Sequence, residues 1–226
     1  EDFLRTMNSV VMQTYKNLEY IVKIHKNDSD AKSILDSYPH TDKIKILSTD
    51  DVHLYDAMNQ GREQASGSHV IFLNSGDYFI ERDTVRRAMQ EVSCDDVIYY
   101  SDYVCKGDLR VIKSLIGMKY RSTVRHEATI VPKHLYDENP FWLSGYTSED
   151  FRFFRKMYYS DIVFKKLSVP LTDILPLGVS DRNRISVISE WQDIAAIQGI
   201  EMVLYTYWRL VERLKRSAKF LMGIPY

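Results

Sequence analysis

An apolar run, Val70-Ile71-Phe72-Leu73, ends in Asn74-Ser75-Gly76-Asp77. Upstream stands Tyr55-Asp56-Ala57-Met58-Asn59-Gln60-Gly61, and Ala65-Ser66-Gly67-Ser68 separates the two. The pattern predicts a polar-faced helix, a turn and a buried strand that stops at a carboxylate. Ligands of open α/β sheets bind outside the carboxyl ends of the strands. An acid placed there can hold a divalent cation against a nucleotide diphosphate, since Mg2+ and Mn2+ favour oxygen ligands. Asp77 is the candidate. An Asp in a turn also has an ordinary structural use, accepting nearby backbone N–H bonds. Tyr55 and Asn59 stand at i and i+4 and share a helix face. They can face a substrate, or Tyr55 can pack beneath the sheet while Asp56 caps the helix. Ser148-Glu149-Asp150-Phe151 opens another predicted helix, whose acidic first turn would ordinarily complement the helix dipole. Arg182 and Arg184 can offset diphosphate charge or serve as plain loop cations.

These side chains need elements to carry them. A first helix is expected from the start of the chain, with Glu1 or Asp2 as cap and Leu4, Met7, Val10 and Val11 on one face. Residues 20–24 read as a buried strand. Asn27-Asp28-Ser29-Asp30 reads as a turn and helix cap, with Ile34, Leu35 and Tyr38 facing inward. Residues 44–47 predict a short strand, 55–65 a helix, 70–73 a strand and 84–92 a helix. Such alternation argues for a parallel sheet covered on both faces. The middle of the chain differs. Residues 97–104, 109–115 and 128–131 read as strands, with a turn at Lys106-Gly107-Asp108. This implies a mixed-sheet half that receives a second substrate. Residues 148–157 predict a helix and 163–169 a strand. From Ser186 onward the pattern is helical, with apolar spacing around 191–197 and 203–214. Arg209, Arg213, Lys215, Arg216 and Lys219 crowd its end, before Phe220-Leu221-Met222. Such a helix either packs one face and solvates its charges or lies on an anionic membrane surface.

With 226 residues the chain fits one domain, or one domain with a helical extension. Its 45% hydrophobic content is enough for a core. Thirty basic residues nearly balance 31 acidic ones, which gives no general reason to expect nucleic-acid binding. Cys94 and Cys105 form neither a metal pattern nor a disulfide framework, so a cytoplasmic location is the default. No apolar run of about 18 residues and no signal peptide is visible. The chain opens at Glu1 rather than Met, inside the first predicted helix, and the natural protein is expected to begin earlier.

The Tyr-Asp-Ala-Met-Asn helix before a strand ending in Leu-Asn-Ser-Gly-Asp resembles family 2 glycosyltransferases. Further segments follow in the family's order. Asn8-Ser9-Val10 with Gln13-Thr14-Tyr15 looks like its first helix end, and His126-Glu127 looks like a His-Gln pair before a strand. Ser148-Glu149-Asp150-Phe151 looks like its Ser-Glu-Asp-Phe segment, and Gly178-Val179-Ser180 like its Gly-Gly-Val-Ser loop. The resemblance covers roughly residues 3–180 and is nearest to enzymes that build bacterial surface polysaccharides.

The resemblance implies a GT-A fold: an α/β, Rossmann-like, mostly parallel central sheet flanked by helices over residues 1–180. Residues 181–226 would form a C-terminal helical extension. It implies inverting transfer of a hexosyl or N-acetylhexosaminyl group from a nucleotide-sugar, of the UDP type, to a saccharide or lipid-linked saccharide. Asp77 would hold Mg2+ or Mn2+. Asp150 would be the general base, with Glu149 as neighbour or substitute. Asp51, Tyr55, Asp56, Asn59, Asn74, His126 and Arg182 would bind substrate. The basic tail implies peripheral contact at the inner face of the cell membrane. Departures cluster around the nucleotide base. Ile24-His25-Lys26-Asn27-Asp28-Ser29-Asp30-Ala31 replaces a Gly-rich acidic segment, His53 replaces a Gly, and the family's opening apolar strand is not in the chain. They motivate a second reading, a non-catalytic nucleotide-sugar or glycan-binding partner subunit. A nucleotidyltransferase is a third, but the Gly-rich basic loop it needs is not in the chain.

Overall fold

The computed structural model describes residues 1–176, 178, 182–196 and 202–221. Helix α1 (Asp2–Val11) buries Thr6, Met7 and Val10. Glu1 takes the N-cap position, but neither it nor Asp2 supplies a side-chain cap bond. Strands β1 (Ile21–His25) and β2 (Lys45–Thr49) pair in parallel. Between them runs α2 (Ser29–Ser37), whose start is fixed by Asp28 accepting from the Ala31 N–H at 2.9 Å. Met7, Val22, Ile24, Leu35 and Tyr38 close into one apolar cluster beneath this layer.

Helix α3 (Leu54–Glu63) lies against β1. The next strand is shorter than its apolar run predicts. Only β3 (His69–Val70) pairs, antiparallel to β8 (Thr129–Pro132). Ile71, Phe72 and Leu73 are held instead by side-chain packing in three core clusters. Then come β4 (Tyr78–Phe79) and α4 (Thr84–Met89).

The strand expected over 97–104 divides into β5 (Val97–Tyr100) and β6 (Tyr103–Cys105). The break has a polar cause. The Ser101 hydroxyl donates to the Asp102 carbonyl and accepts from the Leu171 N–H. The Asp102 carboxylate takes the Ile112 N–H at 2.7 Å and pairs with Lys166. These bonds turn the chain out of one sheet into another. A two-residue turn, Lys106 and Gly107, both at positive φ, then leads to β7 (Asp108–Arg110). Two left-handed residues suit the twist of a tight hairpin.

After β8 come α5 (Lys133–Glu138), α6 (Glu149–Tyr159), β9 (Val163–Lys166) and β10 (Thr172–Asp173). The sheet orders are β1-β2, β4-β10-β6-β7 and β3-β8-β5-β9. Pairs β1–β2, β5–β9 and β6–β10 are parallel; β4–β10, β3–β8, β5–β8 and β6–β7 are antiparallel. The α/β class holds, but the expected mostly parallel sheet is mixed among the described residues. The Lys106-Gly107 hairpin between β6 and β7 can only build an antiparallel pair, and the other antiparallel pairs join strands far apart in the chain.

Helices α7 (Arg184–Ala195) and α8 (Met202–Leu221) are docked rather than loose. Phe151 of α6 packs with Val187, Ile188 and Trp191 of α7 and Tyr205 of α8. Each such buried side chain stabilises the contact by about 1.5–3 kcal/mol. No helix among the described residues is long and apolar enough to cross a membrane.

Candidate active site

The turn after Leu73 is shaped by one glycine. Gly76 has φ +104°, and a Cβ there would stand 2.6 Å from Leu175 Cδ2. Only Gly meets both conditions. Its N–H donates to the Thr6 hydroxyl at 2.8 Å, and the Asp77 N–H donates to the Asn74 carbonyl. The turn thereby faces Asp77 inward, 3% exposed, with Oδ1 accepting the Leu175 N–H at 2.7 Å.

Asn74 connects this turn to a short 3-10 turn, His126–Ala128, that enters β8. Its amide donates to Glu127 Oε1 at 2.9 Å and lies 3.2 Å from His126 Nε2. Across the imidazole, His126 Nδ1 is 3.2 Å from Asp150 Oδ2, while Nε2 is 3.1 Å from Glu127 Oε1. Asp150 stands in the first turn of α6. Its Oδ1 accepts the Phe151 N–H at 2.8 Å and lies 3.2 Å from the Tyr55 hydroxyl. That hydroxyl is also 3.0 Å from the Thr147 carbonyl, so one proton serves two acceptors. Glu190 of α7 takes the Thr147 N–H at 3.0 Å, which ties the C-terminal helices to the start of α6.

Two acids from distant parts of the chain thus act on one histidine: Asp150 bonds it directly, and the Asp77 charge is close enough to raise its proton affinity. Burial, and then the Glu127 charge, push the Asp77 carboxyl up to about 6. Burial would raise Asp150 too, but the His126 hydrogen bond and charge, helped by Arg125, hold it below the usual carboxylate range. Burial opposes a charged His126, yet Glu127, Asp150 and Asp77 together raise it. As an imidazolium it bonds Asp150 through Nδ1 and forms an ion pair with Glu127 on its Nε2 side.

Removing that cation leaves three buried acids facing one another. His126→Ala is expected to cost about 3–5 kcal/mol, the scale for breaking a buried ion pair. The stabilisation is full below the unfolded histidine value of about 6.5 and is lost as pH rises through the higher native value. Urea unfolding of both proteins at acid and alkaline pH measures this; a loss below about 1 kcal/mol would rule out a buried imidazolium.

Among the described residues no three His, Cys, Asp or Glu side chains gather as metal ligands. The donors suit an ion held mainly by substrate oxygens and water. Asp77 is buried beside a second carboxylate, and Glu127 Oε2 is buried without a hydrogen-bond partner. A divalent cation would relieve the repulsion between them.

Asp150 also opens onto a cavity of about 540 Å³. Thr147, Ser148 and Arg125 line it, with residues 110–114 and the start of α7.

Other expected site residues are placed differently. Asp51 pairs with Lys23 at 2.5 Å. Asp56 accepts the Val52 N–H at 3.0 Å and so fastens the start of α3. Asn59 spends its whole amide on the Phe141 backbone, donating to the carbonyl at 2.8 Å and accepting the N–H at 3.0 Å. Glu149 is buried away from this group, bonded to Ser144 and, at 2.9 Å, to Arg152 Nε. Arg182 is exposed, and its carbonyl accepts from Arg216; Arg184 lines the cavity. Val179 and Ser180 of the expected loop lie outside the described residues. Glu127 and Arg125 belong to the group although the sequence reading passed over them. Their adjacency to His126 was the available signal.

A model of the family described as Glycosyl transferase family 2 matches residues 1–163. Over 109 residues the chain is 32% identical to Glycosyltransferase GlyA of Streptococcus pneumoniae serotype 4. That match spans 45% of this chain and 15% of the relative, so the chain corresponds to a small part of it. TarS 1-349 of S. aureus, in complex with UDP, superposes with a TM-score of 0.61 at 17% identity, covering 92% of this chain and 65% of that one. The mannosyltransferase PcManGT from Pyrobaculum calidifontis, in complex with GDP-Man and Mn2+, superposes at 0.67 and 13%, covering 87% and 61%. These likenesses establish the GT-A fold. With 163 of its 226 residues matched by the family model, the chain belongs to glycosyl transferase family 2.

Proposed function

We propose that this chain is an inverting, metal-dependent glycosyltransferase acting in polysaccharide biosynthesis. It would move a sugar from a nucleotide-diphosphate sugar, of the UDP type, to a saccharide or lipid-linked saccharide. The observation that carries the reading is the meeting of Asp77 and Asp150 around His126, with Asp150 open to the cavity. Structural neighbours bound to UDP, UDP-GlcNAc, and GDP-Man with Mn2+ support a diphosphate donor.

Asp77 and Glu127 would hold Mg2+ or Mn2+ jointly with the donor diphosphate; the ion, when bound, stabilises the charge on the departing diphosphate. Asp150 takes the proton of the acceptor hydroxyl as that oxygen bonds to the anomeric carbon and the bond to the diphosphate breaks. The attack comes from the opposite face and needs no covalent enzyme intermediate. Asn74 positions Glu127, and Tyr55 positions Asp150, through the hydrogen bonds above. Asp51, Asp56 and Arg182 are proposed as substrate contacts on the donor side, and Asn59, whose whole amide is bonded to the Phe141 backbone, as a support of that segment. The unit would run over residues 1–180, with 181–226 as a helical brace.

Release of nucleoside diphosphate from UDP- and GDP-sugars, with Mn2+ and a saccharide panel, tests the reading. Turnover that needs both Mn2+ and acceptor is expected. Tight nucleotide binding with no turnover would make the chain a donor-binding partner subunit instead.

Helix α8 exposes Val203, Tyr207, Leu210 and Leu214 along one stripe, beside Arg209, Arg213, Lys215 and Arg216. We propose peripheral contact with the cytoplasmic membrane face there, where basic side chains meet anionic lipid. Cosedimentation with phosphatidylglycerol vesicles, lost with Leu210→Glu, is the expected result; equal binding to phosphatidylcholine vesicles would exclude it.

A further inference from the structure

The walls of the cavity beside Asp150 are strongly one-sided in charge. Arg110, Lys113, Arg121, Arg125 and Arg184 line it, and the one acid among its lining residues is Asp150. The whole chain carries a net charge of −1, so this concentration is local. The five cations come from separate places: the end of β7, the segment after it, the turn after Met118, the residue before His126 and the start of α7. Only the tertiary fold brings them to one mouth.

Arg125 is balanced in part by the Glu127 and Asp150 charges. Arg110 has an exposed pair with Asp108 at 3.2 Å. Arg121 lies 5.8 Å over the Trp208 ring, a contact that leaves its charge intact. Lys113 and Arg121 pair with no carboxylate among the described residues. Like charges gathered around one opening repel one another, and an arrangement of this kind is stabilised by an anionic ligand.

The donor diphosphate does not explain the cavity. Asp77, the proposed cation ligand, is not among the lining residues, whereas Asp150 is. The charged walls are on the side from which the acceptor hydroxyl must reach its base. The volume, about 540 Å³, falls within the range of small-ligand sites.

Resting on the glycosyltransferase reading, we propose that the acceptor is anionic: a saccharide carrying phosphate or carboxylate groups close to the hydroxyl that is glycosylated. Arg125 and Asp150 would then divide the work at the mouth. The guanidinium holds the ligand's anion while the carboxylate faces its hydroxyl. Lys113 and Arg121, exposed at the rim, attract and register the rest of the chain of charges.

The test measures binding of 6-phosphomaltotriose, trigalacturonate and neutral maltotriose to the protein, with UDP affinity measured separately. At about 50 mM salt, where surface charges are little screened, one or both anionic ligands are expected to bind at least about tenfold more tightly than maltotriose, the scale of one charge-assisted hydrogen bond. The double variant Lys113→Gln/Arg121→Gln should remove that preference while UDP affinity stays within about twofold, a shift equivalent to less than 0.5 kcal/mol. Preference for phosphate over carboxylate, or the reverse, identifies the group. Equal binding of maltotriose overturns the proposal. So does a variant that weakens UDP as much as the oligosaccharides, since the cavity would then serve the donor diphosphate. Loss of UDP binding in the unmodified protein, with the anionic preference intact, would instead defeat the glycosyltransferase reading and leave the anion site standing.

Discussion

Asp150→Asn is expected to lower kcat by about 10²–10⁴-fold, the usual contribution of a general base, while UDP affinity changes little. The amide keeps the size of the carboxylate, and its oxygen can still accept the Phe151 N–H that now bonds Oδ1. It has no basic lone pair with which to take the acceptor proton. His126 holds the native carboxylate ionised across neutral pH, so Asp150 itself should contribute no acid limb to the rate in that range. The neighbouring acid supplies the control. Glu149 is bonded to Ser144 and Arg152 rather than to the His126 group. Glu149→Gln should therefore lower the unfolding midpoint and leave kcat within about threefold, a barrier change under 1 kcal/mol. Steady-state rates with circular dichroism on both variants decide the matter. A wild-type kcat in Asp150→Asn, or a collapse of kcat in Glu149→Gln with the fold intact, would reverse the assignment.

Asp77→Asn should abolish activity and yet stabilise the cation-free protein. The native carboxyl is pushed up to about 6, mainly by burial and then by Glu127; its unfolded value is about 3.9. Between those two values the folded state binds more protons than the unfolded one. Stability therefore falls as pH rises through that window, and the full cost is present above about pH 6. At 1.36 kcal/mol per unit, removing the charge should recover on the order of 1–3 kcal/mol at pH 8. The rate should move the opposite way, by at least about 10²-fold, because a bound cation contributes several kcal/mol to stabilising the leaving group. Cation and proton compete for the same oxygens. The acid limb of the native enzyme should accordingly lie near pH 6 and shift downward as Mn2+ is raised. Thermal melts with and without Mn2+, alongside a pH–rate profile, measure both effects. If Mn2+ stabilises the variant as much as the native protein, Asp77 is not the cation's ligand.

The local features of this protein were legible in its residues. Asp28 at the start of α2, the Lys106-Gly107 hairpin and the turn ending at Asp77 each follow from bonds or dihedral preferences that span a few positions. The α/β class was legible too, from the alternation of helical and strand patterns. The continuous strand expected over 97–104 failed because Ser101 and Asp102 take partners near residues 112, 166 and 171, which no short-range pattern contains.

The same limit applies at the site. Tyr55 and Asp150 are 95 positions apart, and Asn74 and Glu127 are 53. Residue type told which side chains were able to carry charge or protons. It did not tell that Asn59 would be consumed by the Phe141 backbone, that Glu149 would turn toward Arg152, or that scattered arginines and a lysine would line one cavity. A hydrogen bond or a shifted proton affinity depends on distances of a few ångströms, and on water being excluded between groups. Chain spacing sets those distances only for near neighbours. For groups tens of residues apart they are set by the packing of α6 and α7, β8 and the turn at Gly76, and so by the folded protein alone.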